Sequence, residues 1–291
     1  MDGAPGERCL MPNPQLFLLT LLTMLAFAGN SLLCRLALAH SAIDAASFTS
    51  IRLVSGAMVL AALIWLRGSR VSRQGSWFSA AMLFAYAAGF SYAYLSLPAG
   101  TGALLLFGAV QATMIGWAVY CGERLQPLQL AGLLLALAGL VGLLLPGLSA
   151  PPLFGSLLML MAGVAWGVYS LRGKGAGDPT AATAGNFLLA VPFALALSAL
   201  MSRGISFDGP GIAYAVTSGA LTSGLGYALW YRVVPQLRAS NAAIIQLSVP
   251  LLAVVAGALL LDEAITLRMV LAGLAILGGI ALVVARRLPS R

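Results

Sequence analysis

Ten stretches of about 20 mostly apolar residues, separated by short polar gaps, constrain this chain more than any other feature. A hydrocarbon core of roughly 30 Å takes about 20 helical residues to cross, and backbone in lipid must satisfy its own hydrogen bonds. Helical spans are therefore expected over 16–34, 45–66, 77–97, 101–119 and 128–145 in the first half. The second half gives 153–171, 181–201, 211–231, 241–261 and 265–284. Composition agrees, with only 8% of residues charged and 60% hydrophobic, against roughly a quarter charged in soluble domains. The gaps are mostly short, so successive helices should be antiparallel neighbours.

A net charge of +8 would suggest nucleic acid in a soluble protein. Here the basic residues sit in the gaps, and no basic patch is interleaved with stacking aromatics. Nucleic acid is therefore excluded as a partner, and the charges set orientation instead. With the N-terminus inside, the cytoplasmic segments hold Arg8, Arg67, Arg70, Arg73, Arg124, Arg172, Lys174, Arg232, Arg238, Arg286, Arg287 and Arg291, twelve of the 16 basic residues. The outward side keeps little more than Arg35 and Arg203. Both termini are expected in the cytoplasm, in a multi-pass protein of the cell inner (plasma) membrane.

The stretch before Leu16 lacks a basic n-region and a small-residue cleavage site, so no cleavable signal is expected. Residues 1–15, with Gly3, Pro5, Gly6, Pro12 and Pro14, read as a disordered tail in which Met11 is a second candidate start. Cys9, Cys34 and Cys121 are too scattered for a disulfide framework or metal site. Residues 286–291 form a basic tail.

The chain repeats itself at an offset of 140 residues. Gly122–Leu125 aligns with Asp262–Ile265, Gly139 with Gly279, Ala99 with Ala239, and 103–105 with 243–245. Five helices per half is odd, so the second copy must insert upside down. Residues 16–148 and 152–285 are then two inverted five-helix repeats, an arrangement common in transporters, whose solute site lies near the midplane.

At this point the chain resembles the EamA domain of the drug/metabolite transporter superfamily, present twice. The resemblance rests on 27–35 (Phe-Ala-Gly-Asn-Ser-Leu-Leu-Cys-Arg), Ile51-Arg52-Leu53 and Gly122-Glu123-Arg124-Leu125. It continues through Gly163, Trp166 and Tyr169, then 247–250 (Leu-Ser-Val-Pro), with Glu263 thirteen residues beyond Pro250. Val110-Gln111 stands where the family usually has a proline, so a helix break is not expected there. The resemblance implies ten helices, inward termini and export or exchange of small metabolites.

Polar groups within spans should face the bundle interior. Thr20, Thr23, Phe27, Asn30 and Cys34 recur at helical spacing and share one face. This stripe reads either as a cavity wall centred on Asn30 or as ordinary interhelical hydrogen bonding. Trp166 and Tyr169 are adjacent on one helix face; Trp166 lies deeper, whereas Tyr169 has a membrane-interface role as its alternative. Trp230 and Tyr231 read as interfacial anchors. Gly219, Thr222, Ser223 and Gly226 form a small-residue stripe suited to close packing. Gln111, Asn241 and Gln246 are amides available to a zwitterionic or hydroxylated solute, Gln246 being the deeper of the last two. Pro250 frees a backbone carbonyl near Gln246 or kinks the helix.

Arg52 either snorkels outward near Asp44 or faces the cavity as a gating residue or anion anchor. Arg35, near the outer surface, is expected to snorkel. Glu123 and Glu263 occupy equivalent turns and read as caps or first-turn charges for the next helix; if a titratable group couples transport, Glu263 is the candidate. No Asp or Glu lies at the centre of a span, and His40 is the single histidine. Facilitative transport or exchange is therefore expected. No phosphate-binding loop, metal-ligand cluster or catalytic Ser/His/Asp set is present in the sequence, so no enzyme activity and no cofactor are expected.

The reading that follows is an exporter of amino acids or related neutral or zwitterionic solutes, working by alternating access. Its candidate binding residues are Asn30, Gln111, Trp166, Tyr169 and Gln246. The expected partners are a small-molecule solute and the lipid bilayer, with a homodimer open. The alternatives are a lipid-linked sugar or lysolipid flippase, and a non-transporting scaffold or receptor.

Overall fold

The computed structural model describes residues 14–68, 75–122, 124–147, 150–173, 178–237 and 245–285. Among these the chain is helical, without a strand. The rods are α1 (Pro14–His40), α2 (Ala45–Leu66), α3 (Trp77–Tyr94), α4 (Ala99–Tyr120), α5 (Pro127–Leu144), α6 (Leu153–Gly173) and α7 (Pro179–Leu200). Next comes α8, which joins an α-helical Gly209–Thr217, a π-helical Ser218–Leu225 and an α-helical Gly226–Val233. The last are α9 (Ser248–Leu260) and α10 (Leu267–Ala285).

Seven of these, α1, α2, α4, α5, α6, α7 and α10, are long and apolar enough to cross a membrane. The other three have visible reasons to differ. α3 carries Ser79, Tyr86, Ser91, Tyr92 and Tyr94 in 18 residues. α8 changes its hydrogen-bond pattern midway, and the described part of α9 is 13 residues. Large apolar side chains such as Leu130, Leu134 and Val141 on α5, and Leu267, Leu271 and Leu274 on α10, face outward.

Local chemistry sets where the helices begin. Asp44 accepts from the Ala46 and Ser47 amides, Asp178 from Thr180 and Ala181, Asp208 from Gly211, and Ser76 from Ser79, each satisfying otherwise orphaned N-terminal donors. Pro127 and Pro179 open α5 and α7, where a missing N–H costs nothing.

α1 departs from its expected span, whereas α4 keeps to the one expected of it. α1 starts at Pro14, inside the expected tail, and runs past Cys34 to His40, because Arg35 finds acceptors within the protein. α4 passes unbroken through Val110 and Gln111. The chain turns at Leu247 before α9, as suits Pro250, whose ring excludes the carbonyl of residue 246 from helical bonding. The Ser248 hydroxyl donates to the neighbouring Ile245 carbonyl at 2.7 Å. Glu123 and Asn241 lie outside the described residues.

α6 packs against α3 and α4, and α1 packs against α8 and α9. α2 lies along α7 and the π-helical part of α8, while α5 and α10 form a pair. Glycines permit the closest approaches: a Cβ at Gly132 would stand 2.6 Å from the Gly279 carbonyl, and one at Gly219 would run into the backbone of Arg52. Gln129 Nε2 donates to the Val283 carbonyl at 3.1 Å, pinning α5 to α10. The left-handed residues include Gly122 (φ 95°) and Asp262 (φ 51°), the latter uncommon for a residue with a Cβ.

Two loops clasp each other beside the ends of α1 and α7. Asp44 Oδ2 accepts from the Ser206 amide at 3.0 Å, and Asp208 Oδ2 accepts from the Ala42 amide at 3.2 Å. Burial alone would raise the Asp44 carboxyl, but donation from Ser47, Ser206 and Ala46 outweighs it and leaves it below the ordinary value. The Ala42 amide, then Gly211 and Ser41, lower Asp208. A carboxyl depressed on folding binds its proton more readily in the unfolded chain, so its stabilisation is present above the unfolded value and is lost as pH falls through the folded one. Thermal stability of the purified protein is therefore expected to fall on acidification below about pH 4. Asp44→Asn with Asp208→Asn should blunt that fall; an unaltered acid limb would show that the clasp does not contribute.

Candidate functional site

The bundle interior holds a buried guanidinium on a wall of aromatic rings. Arg52, on α2, is only 2% exposed. Its Nη2 donates to the Tyr86 hydroxyl at 3.0 Å, and its Nε to Ser223 Oγ at 3.4 Å. Its Cζ stands 5.2 Å from the Tyr86 ring centroid and 4.9 Å from that of Phe90, within cation–π range. Nη1 is buried and has no hydrogen-bond partner among the described residues.

Asn30 organises the neighbouring polar groups. Its Nδ2 donates to the Tyr86 hydroxyl at 3.3 Å, while its Oδ1 accepts from Ser218 Oγ at 2.8 Å and Thr222 Oγ1 at 3.2 Å. The π-helical segment makes this possible. In an α-helix five residues turn a side chain by about 140°, whereas the wider turn of i→i+5 bonding brings it much closer to its starting direction. Ser218 and Ser223 therefore both reach inward, the first to Asn30 and the second to Arg52.

The rings form a continuous band. Trp166 stacks on Tyr169 at 5.3 Å and on Tyr227 at 5.1 Å, and its centroid is 4.8 Å from Tyr86. Phe27 and Phe187 meet Tyr227 edge-on, each at 5.9 Å. Asn186 Nδ2 donates to the Tyr169 hydroxyl at 3.5 Å, and its Oδ1 accepts from the Ser76 amide at 2.9 Å. This end is drawn together further by Arg172, whose Nε donates to Ser79 Oγ at 3.3 Å.

Asn30, Arg52, Trp166 and Tyr169 are thus brought together. Of the first-helix stripe, Thr23, Asn30 and Cys34 are buried, while Thr20 and Phe27 are half-buried. Gln111 is buried away from the band. It faces Ala136 and Leu140 of α5 and Ile280 and Val283 of α10 around a space of about 10 Å³, scarcely enough for one water. Gln246 is half-buried, and its side chain makes no hydrogen bond among the described residues.

Glu263 is also elsewhere, and it serves a different helix from the expected one. Its Oε2 accepts from the Ala99 amide at 2.7 Å, at the start of α4, and its Oε1 pairs with Arg35 Nε at 3.2 Å. Arg35 Nη1 donates to the Tyr94 carbonyl at 2.9 Å instead of snorkelling. Thr266 begins α10 by accepting from the Met269 amide. The α4 N-terminus attracts the carboxylate because its amides lack helical partners and carry partial positive charge.

Trp230 packs edge-on against Phe27 at 6.0 Å, and Trp230 and Tyr231 are both half-buried against the core. Tyr86, Tyr227, Phe187, Asn186 and Ser218 belong to the cluster without having been singled out in the sequence. Their available signal was a polar or aromatic residue deep in a span; for Ser218 it was also the four-residue spacing to Thr222.

This arrangement can stack a flat solute, hydrogen-bond it through hydroxyls and an amide, and oppose a negative charge. Among the described residues no group of three or more His, Cys, Asp or Glu could hold a metal.

Comparison with known proteins adds an independent line. The family model described as the EamA-like transporter family matches residues 153–285, α6 to α10. An uncharacterized protein of Pseudomonas aeruginosa is 58% identical over 279 residues, 96% of this chain and 97% of its own. An uncharacterized transporter of Archaeoglobus fulgidus is 25% identical over 289 residues, 94% of this chain and 99% of its own. A protein of known crystal structure, 20% identical, superposes with a TM-score of 0.67 over 92% of this chain and 97% of its own, and so has the same fold.

Proposed function

Because this chain belongs to the EamA-like transporter family, we propose that it exports amino acids or related neutral or zwitterionic solutes across the inner membrane by alternating access. Multi-pass membrane transport is the family's activity; substrate and direction are our reading. The observation that carries it is the stacking of Trp166 on Tyr169 and on Tyr227, beside the hydrogen-bonded Asn30 and Arg52. Asn30, Arg52, Trp166 and Tyr169, with Tyr86 and Tyr227, are the proposed contacts. Gln246 is retained as a contact in another conformational state, and Gln111 is reassigned to packing.

Two inverted five-helix repeats with cytoplasmic termini are part of this reading. The helix pairing supports it, since α6 meets α3 and α4 as α1 meets α8 and α9. So does the turn geometry: Gly122 and Asp262, related by the sequence offset, are both left-handed. The solute site then lies where the halves meet. Glu263 and Arg35 are assigned to outer closure. With the described acids confined to helix ends and loops, facilitative transport or exchange is the mode proposed.

Counterflow of a labelled metabolite panel into proteoliposomes, with and without a pH gradient, tests this. Saturable flux of a neutral amino acid is expected, indifferent to pH and reduced at least tenfold in Trp166→Ala. Absence of flux for every soluble metabolite, from protein shown to be folded, would overturn the proposal and favour lipid-linked cargo or a non-transporting role.

A further inference from the structure

The charge on Arg52 is not balanced by any acidic group among the described residues. Every acidic residue in the described structure, Asp44, Asp178, Asp208, Asp262 and Glu263, lies at a helix end or in a loop. The acid drawn into an ion pair, Glu263, is held by Arg35. The titratable groups near enough to feel Arg52 are Tyr86, Tyr227 and Cys34, all ordinarily neutral at pH 7. A guanidinium cannot shed its proton to escape burial, and a buried charge left unpaired is costly. Two hydrogen bonds and two ring faces offset part of that cost, yet Nη1 still has no acceptor among the described residues. Its position is also fixed. Gly219 lets the α8 backbone sit against the Arg52 main chain, and the bonds to Tyr86 and Ser223 hold the guanidinium where it is.

We infer that the missing acceptor is the carboxylate of the solute: Arg52 binds the carboxylate of an organic acid whose flat apolar body lies on Trp166 and Tyr227. The inference rests on the transport reading above and narrows it. Carboxylate and guanidinium match in planar geometry, and a band of stacked rings, with Trp166 half-buried and Tyr227 buried, suits a planar body better than a branched one. No acidic side chain among the described residues faces the cluster to receive an ammonium group. The carboxylate, rather than the amine of an amino acid, is thus the required part of the ligand.

The test is equilibrium binding to the detergent-purified full chain, with 3-phenylpropionate and its neutral isostere 3-phenylpropionamide as probes. Wild type is expected to bind the acid at least tenfold more tightly than the amide. Arg52→Met should erase that preference while leaving residual amide binding, which would show that the variant is folded. Equal affinity for acid and amide in wild type would overturn the inference. So would loss of acid binding on adding chloride at comparable concentration, since an inorganic anion would then satisfy Nη1. Counterflow of a solute without a carboxylate would sink this inference and leave transport standing, whereas acid binding without flux for any solute would do the reverse.

Discussion

Gly219→Val is expected to leave no folded protein recoverable as a monodisperse species from detergent. A Cβ at this position would meet the backbone of Arg52 and the Ser55 hydroxyl. Ordinary overpacking costs about 1–3 kcal/mol because side chains can repack. Here the obstacle includes main chain, and the neighbouring contact is also close: a Cβ at Gly56 would stand 2.6 Å from the Phe187 ring and 3.1 Å from the Gly219 carbonyl. At the crossing of α2 and α8, repacking of side chains alone cannot make room. Gly116→Val is the control, because a Cβ there meets nothing within 4 Å; it should elute and melt like wild type. A stable, monodisperse Gly219→Val protein would mean that α2 and α8 do not cross as described.

Arg52→Met is expected to separate stability from transport. Replacing a buried, incompletely paired charge with an apolar group of similar length is often neutral or stabilising by about 1–4 kcal/mol. The thermal midpoint should therefore stay level or rise. Flux should fall, because a hydrogen bond to a charged group is worth about 1.5–3 kcal/mol, or roughly 10–100-fold in affinity. A residue serving only the fold would lower both quantities together. Loss of thermal stability with unchanged flux per folded molecule would remove Arg52 from the site.

The sequence made the helical architecture legible because lipid leaves few options for backbone hydrogen bonds, and the short gaps mark most helix ends within a few residues. Asn30, Arg52 and Trp166 were legible as polar or amphipathic groups in costly positions. Gln111 misled for a physical reason: residues 99–111 of α4 are buried on all sides, so no amphipathic period reveals which face lines a site. Tyr86 and Tyr227 passed as apolar bodies within spans, their hydroxyls hidden by ring size. The pairing of Ser218 with Ser223 depends on a π-helical segment, and helical-wheel geometry drawn for an α-helix puts them on different faces. Glu263 was tied to the helix beside it in sequence, whereas its partners Arg35 and Ala99 come from the other half of the chain. Local reading cannot reach such contacts.

The central claim is that the Asn30–Arg52–Trp166 cluster is opened alternately to the two sides of the membrane. Thr222 bonds Asn30 and is 8% exposed, so a cysteine there reports on the cluster with little change in volume. The measurement is alkylation of Thr222→Cys, with Cys9, Cys34 and Cys121 replaced, by a membrane-impermeant maleimide applied separately to each face of oriented vesicles. The account predicts labelling from both faces, with transported solute shifting the ratio between them. A cysteine that reacts from neither face, with or without solute, in protein that still catalyses counterflow, would contradict it.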